Sequence, residues 1–303
     1  STYSIAFTPD GKKIYAANCN NNTIYVIDAA TNKVTANISV GDSPYELVVT
    51  PDGKKVYIPN YGSNTVSVID TATDNVIATV PVGNSPNLVA ATSDGNKVYV
   101  ANNNTVSVID TATNNVIATI PVGTSSRKIV INPNGNRVYV VNFDSNSVSV
   151  IDTATDNVIA NVPVGEQPMG IAVTPDGKKV YVTNSRSSNV SVIDTATDTV
   201  AATVNAGILP TGVVIVPLTY SDMTAKSTGT TSNATENSEI EKTNLSSSEK
   251  NAVELNNSNN NNSESNNGNS SNENESNKNN STPGFGLLGS LPCLYGGWKF
   301  KKK

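Results

Sequence analysis

The stretch PDGKKVYIPNYGSNTVSVIDTATDNVIATVPVG at positions 51–83 is written again, with few changes, as PDGKKVYVTNSRSSNVSVIDTATDTVAATVNAG at 175–207. Self-similarity at a fixed period is the mark of a repeat architecture. The turn glycines recur at Gly11, Gly53, Gly95, Gly135 and Gly177, and the aspartates of the ID element at Asp28, Asp70, Asp110, Asp152 and Asp194, in steps of 40 or 42 residues. Five complete repeats result, and a sixth opens at 211–216, which parallels 169–174, and then stops.

Each repeat holds four short β-branched runs divided by turn chemistry. In the second repeat these are 46–50, 55–59, 65–70 and 76–82. In the last of them Val76, Ala78, Val80 and Val82 alternate with Ile77, Thr79 and Pro81, the period of a pleated strand. Pro51-Asp52-Gly53 joins the first two runs: proline presets φ, aspartate bonds its own turn and glycine accepts a positive φ. Thr71 to Asn75 joins the last two, and no stretch carries a helical period. Four antiparallel strands in about 42 residues is the arithmetic of a propeller blade, whereas the coils of a parallel β-helix are shorter and lack a hairpin at each step. The expected fold is therefore all-β, a β-propeller of four-stranded antiparallel blades with five complete repeats plus one extra strand, over residues 1–217.

The words VYIPN at 56–60, VYVAN at 98–102, VYVVN at 138–142 and VYVTN at 180–184 resemble the YVTN β-propeller repeat family. The resemblance implies the fold and says little about activity, because propellers host many functions. Surface-layer members of that family resemble seven-bladed discs. Five repeats and one strand are thus expected either to close as five or six blades or to be the C-terminal part of a longer propeller. An open arc would leave strand edges unpaired.

The composition narrows the chemistry. Lys and Arg number 20 against 25 Asp and Glu, a net charge of -5, which provides no basic footprint for nucleic acid. There is no histidine, so the commonest general base, the commonest metal ligand and the His-activated nucleophiles are all absent. Cys19 and Cys293 stand at opposite ends and suggest neither a disulfide framework nor a zinc cluster.

Beyond Leu218 the character changes. Of the 62 residues from Ser221 to Thr282, 32 are Asn or Ser and none is aromatic, so the segment 218–282 reads as a disordered stalk that buries too little to offset its ordering entropy. As a coil it would span roughly 45 Å r.m.s.. It carries Asn-x-Ser/Thr acceptors at Asn233, Asn244, Asn256, Asn261, Asn269, Asn274, Asn279 and Asn280, and the propeller adds Asn21, Asn37, Asn103 and Asn189. Plain low complexity produces the same pattern by chance.

Residues 283–303 close the chain with an apolar run and Lys301-Lys302-Lys303. As a helix, 284–300 would span about 25 Å, short of a roughly 30 Å hydrocarbon core, and Pro292 makes it a poor permanent span. The lysines would stay cytoplasmic, placing stalk and propeller outside. Pro283, Gly284 and Phe285 resemble the PGF-CTERM sorting signal of archaeal surface proteins. That resemblance implies recognition by an archaeosortase-type enzyme, removal of the tail and attachment of a lipid, with a plain membrane anchor as the other reading. Cys293 would leave with the removed segment.

No catalytic, cofactor or metal constellation emerges. The aspartates Asp70, Asp110, Asp152 and Asp194 recur at one strand end and read as turn caps, as do Asp10, Asp52 and Asp176, where Asn134 substitutes in the fourth repeat. Asp144-Ser145-Asn146 has oxygen ligands at alternate positions but lacks the glycine and distal glutamate of a calcium loop. Cys19 reads as a variable loop residue rather than a nucleophile. Tyr15, Tyr57, Tyr99, Tyr139 and Tyr181 recur with the repeat and read as packing residues. A binding face is expected in the loops that differ between repeats, 60–63, 142–145 and 184–187. The expectation is a non-enzymatic cell-surface protein, anchored to the cytoplasmic membrane and serving surface-layer structure, adhesion or contact with protein or glycan partners, with no cofactor. The alternative is an extracellular enzyme, since YVTN-like propellers resemble quinoprotein dehydrogenase subunits and antibiotic-cleaving lyases; the missing histidine and haem-attachment motif count against it.

Overall fold

The structure, a computed structural model, describes residues 2–216 and 252–256. Five four-stranded antiparallel meanders follow one another along the chain. Blade one is β1 (Thr2–Phe7), β2 (Lys13–Asn18), β3 (Thr23–Asp28) and β4 (Lys33–Ser39). Blade two is β5 (Val48–Val49), β6 (Lys55–Asn60), β7 (Thr65–Asp70) and β8 (Asn75–Pro81). Blade three is β9 (Leu88–Ala91), β10 (Lys97–Ala101), β11 (Thr105–Asp110) and β12 (Asn115–Pro121). Blade four is β13 (Ser126–Ile131), β14 (Arg137–Asn142), β15 (Ser147–Asp152) and β16 (Asn157–Pro163), and blade five β17 (Pro168–Val173), β18 (Lys179–Asn184), β19 (Asn189–Asp194) and β20 (Thr199–Asn205). A sixth, two-stranded sheet pairs β21 (Gly212–Val216) with β22 (Ala252–Asn256).

The all-β repeat fold is as the sequence predicts, and β21 is its extra strand. β22 lies in the tract that the sequence analysis reads as a stalk. Within it Val253, Glu254, Leu255 and Asn256 alternate apolar and polar positions, the period of a strand. The first run of blade two is shorter than its pattern suggests, because the Glu46 amide bonds Asn87 O of the next blade at 3.3 Å instead of its own sheet.

Both turn types form from the residues that invite them. Asp52 Oδ1 accepts from the Thr50 hydroxyl at 2.6 Å and the Lys54 amide at 3.0 Å. Asp70 Oδ1 accepts from the amides of Ala72 and Thr73 and from the Thr73 hydroxyl at 2.8 Å, so the recurrent aspartates are caps. Every third-to-fourth strand pairing shifts register after the same position, Val26, Val68, Val108, Val150 or Val192. The bulge turns Ile77, Ile117 and Ile159 outward, which accounts for isoleucines standing in solvent on an otherwise alternating strand.

The core lies between blades. Tyr15, Ala17, Ile24, Val26 and Ile38 of blade one pack against Leu47, Val56, Ile58 and Ile69 of blade two. The same positions meet at the next three interfaces, so one face of each blade always gives and the other always receives. A polar link closes each interface on its outer side. Lys13 Nζ donates to Thr71 O at 2.7 Å and to Asp74 Oδ2 at 2.8 Å, while Tyr15 Oη donates to Asp74 Oδ1 at 2.7 Å. Lys55 and Tyr57 reach Asn114 in the same way, and Lys97 and Tyr99 reach Asp156. Arg137 takes Asp198 at the fourth interface.

Candidate functional site

The loops joining second to third strands and the connectors between blades lie on one face. Asn64 Oδ1 accepts the Ser85 amide at 2.8 Å and Asn146 Oδ1 the Gln167 amide at 2.9 Å, tying each loop to the connector that follows. These asparagines sit at φ near +50°, a backbone their short polar side chains tolerate. The opposite face carries the proline and ID turns.

At the mouth of the connector face the repeat stops repeating. The residue two places after the positive-φ connector residue (Ser43, Ser85, Ser125, Gln167 or Leu209) is Tyr45, Asn87, Arg127, Met169 and Thr211 in successive repeats, and the next is Glu46, Leu88, Lys128, Gly170 and Gly212. Glu46 Oε1 accepts from Lys128 Nζ at 2.6 Å, an ion pair that runs from blade two to blade four past blade three. Its other oxygen accepts the Val89 amide at 3.3 Å. Asn87 Nδ2 donates to Ser126 O at 3.2 Å. Asn87 Oδ1, Ser126 Oγ and Arg127 Nε are buried there without a hydrogen-bond partner among the described residues. Such groups cost free energy unless water or a ligand satisfies them.

Two aromatic contacts join this row to the variable loops. The Tyr45 and Tyr61 rings stand 6.4 Å apart, and the Arg127 guanidinium lies 4.8 Å from the Phe143 ring centroid. Beside Phe143 a cleft of about 230 Å³ is lined by Asp144, Asn146, Glu166, Gln167 and Arg186. Arg186 Nε stands 3.2 Å from a Glu166 oxygen. The loops 60–63, 142–145 and 184–187 thus supply Tyr61, Phe143, Asp144 and Arg186 to one surface.

The sequence reading missed the row beginning at Tyr45 and Glu46. Its signal was present: two adjacent positions that change chemistry in every repeat while their neighbours hold still. Asp144 accepts from Ser125 Oγ and Asn146 is engaged with Gln167. Among the described residues no three Asp, Glu, Cys or His side chains gather to hold a metal. Cys19 is buried and partnered at the end of β2. Tyr15, Tyr57, Tyr99 and Tyr139 are fully buried, as packing residues, and Tyr181 is half-buried.

The acceptor asparagines divide. Asn21, Asn37 and Asn103 are exposed, whereas Asn189 Oδ1 accepts from Asn184 Nδ2 at 2.8 Å. Asn256 ends β22 opposite Gly212. Asn233, Asn244, Asn261, Asn269, Asn274, Asn279, Asn280 and the Pro283, Gly284, Phe285 motif lie outside the described residues.

Comparison with known proteins agrees with the fold. Residues 132–219 match the family described as YNCE-like beta-propeller. The hydrazine synthase of Kuenenia stuttgartiensis superposes over 70% of this chain and 88% of its own, with 22% identity and a TM-score of 0.52. A functionally unknown protein from Desulfotomaculum acetoxidans DSM 771 superposes over 67% of this chain and 68% of its own, with 21% identity and a TM-score of 0.60. No curated protein matches the chain. Repeat, blade topology and these likenesses together make the protein a repeat β-propeller.

Proposed function

We propose that the protein is a non-enzymatic β-propeller of the archaeal cell surface, held by its C-terminal tract and binding a protein or glycan partner through the connector-face mouth. One observation carries the binding role: the positions that differ between near-identical repeats are gathered at that mouth, around Tyr45, Tyr61, Arg127 and Phe143. A scaffold needs its repeats alike; a recognition surface needs them different. Aromatic faces beside an arginine and carboxylates suit both glycan rings and polar protein surfaces. The surface placement rests on the Asn/Ser tract followed by the Pro283-Gly284-Phe285 motif and a basic end.

Intact mass of the native, detergent-extracted protein with C-terminal peptide mapping tests the tether. Loss of the residues after Phe285 with an added lipid mass supports a processed surface protein; an intact Lys303 in a soluble protein overturns it. The binding role is tested on a glycan array and against purified envelope protein, where Arg127→Ala and Phe143→Ala are expected to weaken capture at least tenfold with an unchanged melting temperature. A redox cofactor or metal carried by the native protein would favour an enzyme instead.

A further inference from the structure

One repeat is two residues short, and the loss falls on the connector face. The step from Gly95 to Gly135 is 40 residues where the other steps between turn glycines are 42. The difference lies between the second and third strands of blade three, where NNNT at 102–105 stands against NYGSNT at 60–65 and NFDSNS at 142–147. In blades two, four and five, two successive loop amides cover the connector before them. Tyr61 N donates to Ser43 O at 3.0 Å and Gly62 N to Asp42 O at 2.9 Å, and the pairs Phe143-Asp144 and Ser185-Arg186 do the same. In blade three Asn103 N donates to Asn84 O at 3.0 Å, and no described residue donates to Ser85 O.

The short loop leaves a gap between two walls, because blade three packs between blades two and four. The wall on the side of blade two is Tyr61 beside Tyr45, and that on the side of blade four is Phe143 beside Arg127. Each pair runs from a loop to the mouth. The floor between them is Asn84, Asn103 and Asn104, all exposed, and no residue of 82–87 or 102–105 carries a charge. At the inner end Asn87 Oδ1, Ser126 Oγ and Arg127 Nε have no hydrogen-bond partner among the described residues, while Glu46 and Lys128 neutralise each other. From the outermost strand of the blade to the innermost the gap crosses three interstrand spacings, about 14 Å.

We propose that this gap is a groove for an unbranched, neutral oligosaccharide laid across blade three from rim to mouth; the inference rests on the mouth being the binding surface and names its ligand. Ser85 O and Asn87 Oδ1 need donors, Arg127 Nε needs an acceptor and Ser126 Oγ takes either. Hydroxyl groups, which both donate and accept, answer all four. A carboxylate or phosphate donates nothing to the two carbonyls, and an ammonium offers nothing to Arg127 Nε. Tyr61 and Phe143 supply apolar ring faces on which sugar rings stack. An extended peptide finds no free ladder to join, because Asn102 N is bonded to Thr105 O, Asn103 O accepts from Ser126 N and Asn104 O from Val122 N.

The test is titration calorimetry of the full chain, expressed without N-glycosylation, with cellohexaose, maltohexaose and chitohexaose, each beside its own disaccharide. At least one hexamer is expected to bind about tenfold tighter than its disaccharide. Replacing Asn103-Asn104 by the Tyr-Gly-Ser-Asn of 61–64 gives blade three the loop length of its neighbours, and the hexamer then falls to the affinity of the disaccharide. Asn84→Ala and Asn103→Ala, at exposed floor positions, weaken the hexamer about three- to tenfold. Far-UV circular dichroism checks that each variant folds. A disaccharide bound as tightly as its hexamer, with both lost in Arg127→Ala, keeps the mouth as a binding site and overturns the groove. Hexamer binding that survives the longer loop overturns it as well. Binding of none of these sugars does so too, and leaves the mouth to a protein partner. An N-linked glycan on Asn103 of the native protein, which would fill the gap, also overturns the proposal.

Discussion

At the scale of single residues, the four links between blades make a controlled comparison. Tyr99 Oη donates to Asp156 at 2.5 Å, but Tyr139 Oη and Asp198 Oδ1 are buried without hydrogen-bond partners among the described residues, because Arg137 takes the outer oxygen. Tyr99→Phe is therefore expected to cost about 1–3 kcal/mol in urea unfolding, the worth of a buried bond to a carboxylate, while Tyr139→Phe changes stability by less than about 0.5 kcal/mol. Burial, joined at Tyr15 and Tyr99 by the adjoining carboxylates, raises the phenols of Tyr15, Tyr57 and Tyr99 far above their ordinary range and pushes Tyr139 up to about 12. A raised folded pKa gives stability that is present below the ordinary tyrosine value and lost above it, so unfolding is expected to set in above about pH 10. The turn aspartates behave oppositely. The Thr73 hydroxyl and the amides after Asp70 hold that carboxyl below its usual range, and Asp52, Asp94, Asp110, Asp152 and Asp176 follow suit. Their contribution is present above the ordinary carboxylate value and is lost as the pH falls below about 4. A stability profile flat from about pH 5 to 9 and falling at both ends checks both signs.

At the scale of elements, two glycines separate crowding from backbone strain. A Cβ on Gly83 would stand 2.6 Å from Asn102 Nδ2 and 2.7 Å from Thr105 Oγ1, under a connector whose Asn102 is wholly buried. Gly83→Ala is expected to cost about 1–3 kcal/mol by overpacking. Gly95 has room, with Pro51 Cδ at 3.6 Å, but holds φ +72°, so Gly95→Ala costs about 1 kcal/mol from the backbone alone. Thermal melts of the two variants should rank them in that order. Elements were what the sequence showed best. The turn of Pro51, Asp52 and Gly53 and the alternation from Val76 to Val82 are local, and local chemistry is readable along a line. The link from Lys13 to Asp74 spans 61 positions and was not legible. A period tells which residues are equivalent, not which equivalent residues touch, so Asp74 passed as one more turn residue. The row from Tyr45 to Thr211 was hidden by the same habit of reading for sameness. β22 was hidden by the composition around it, which outweighs four alternating residues.

At the scale of the whole molecule, near-identical blades joined by near-identical interfaces behave as a one-dimensional series. Among the described residues blades two, three and four are covered on both faces, while none covers the receiving side of blade one and the ribbon of β21 and β22 covers the giving side of blade five. Hydrogen exchange is expected to be slowest in β10, β11, β14 and β15 and to quicken toward β1 and β20, with cooperative loss by whole blades. Equal protection across all five blades would mean that the series melts as one unit.

The ion pair from Glu46 to Lys128 does not belong to that series, because it omits a neighbour. It therefore acts as a chord drawn across three blades. Opening or flattening their curvature has to stretch this chord before it parts any pair of adjacent sheets. The mouth is thus stiffer toward widening than toward twisting, and high salt, which screens the chord and spares the apolar faces, softens the first motion alone.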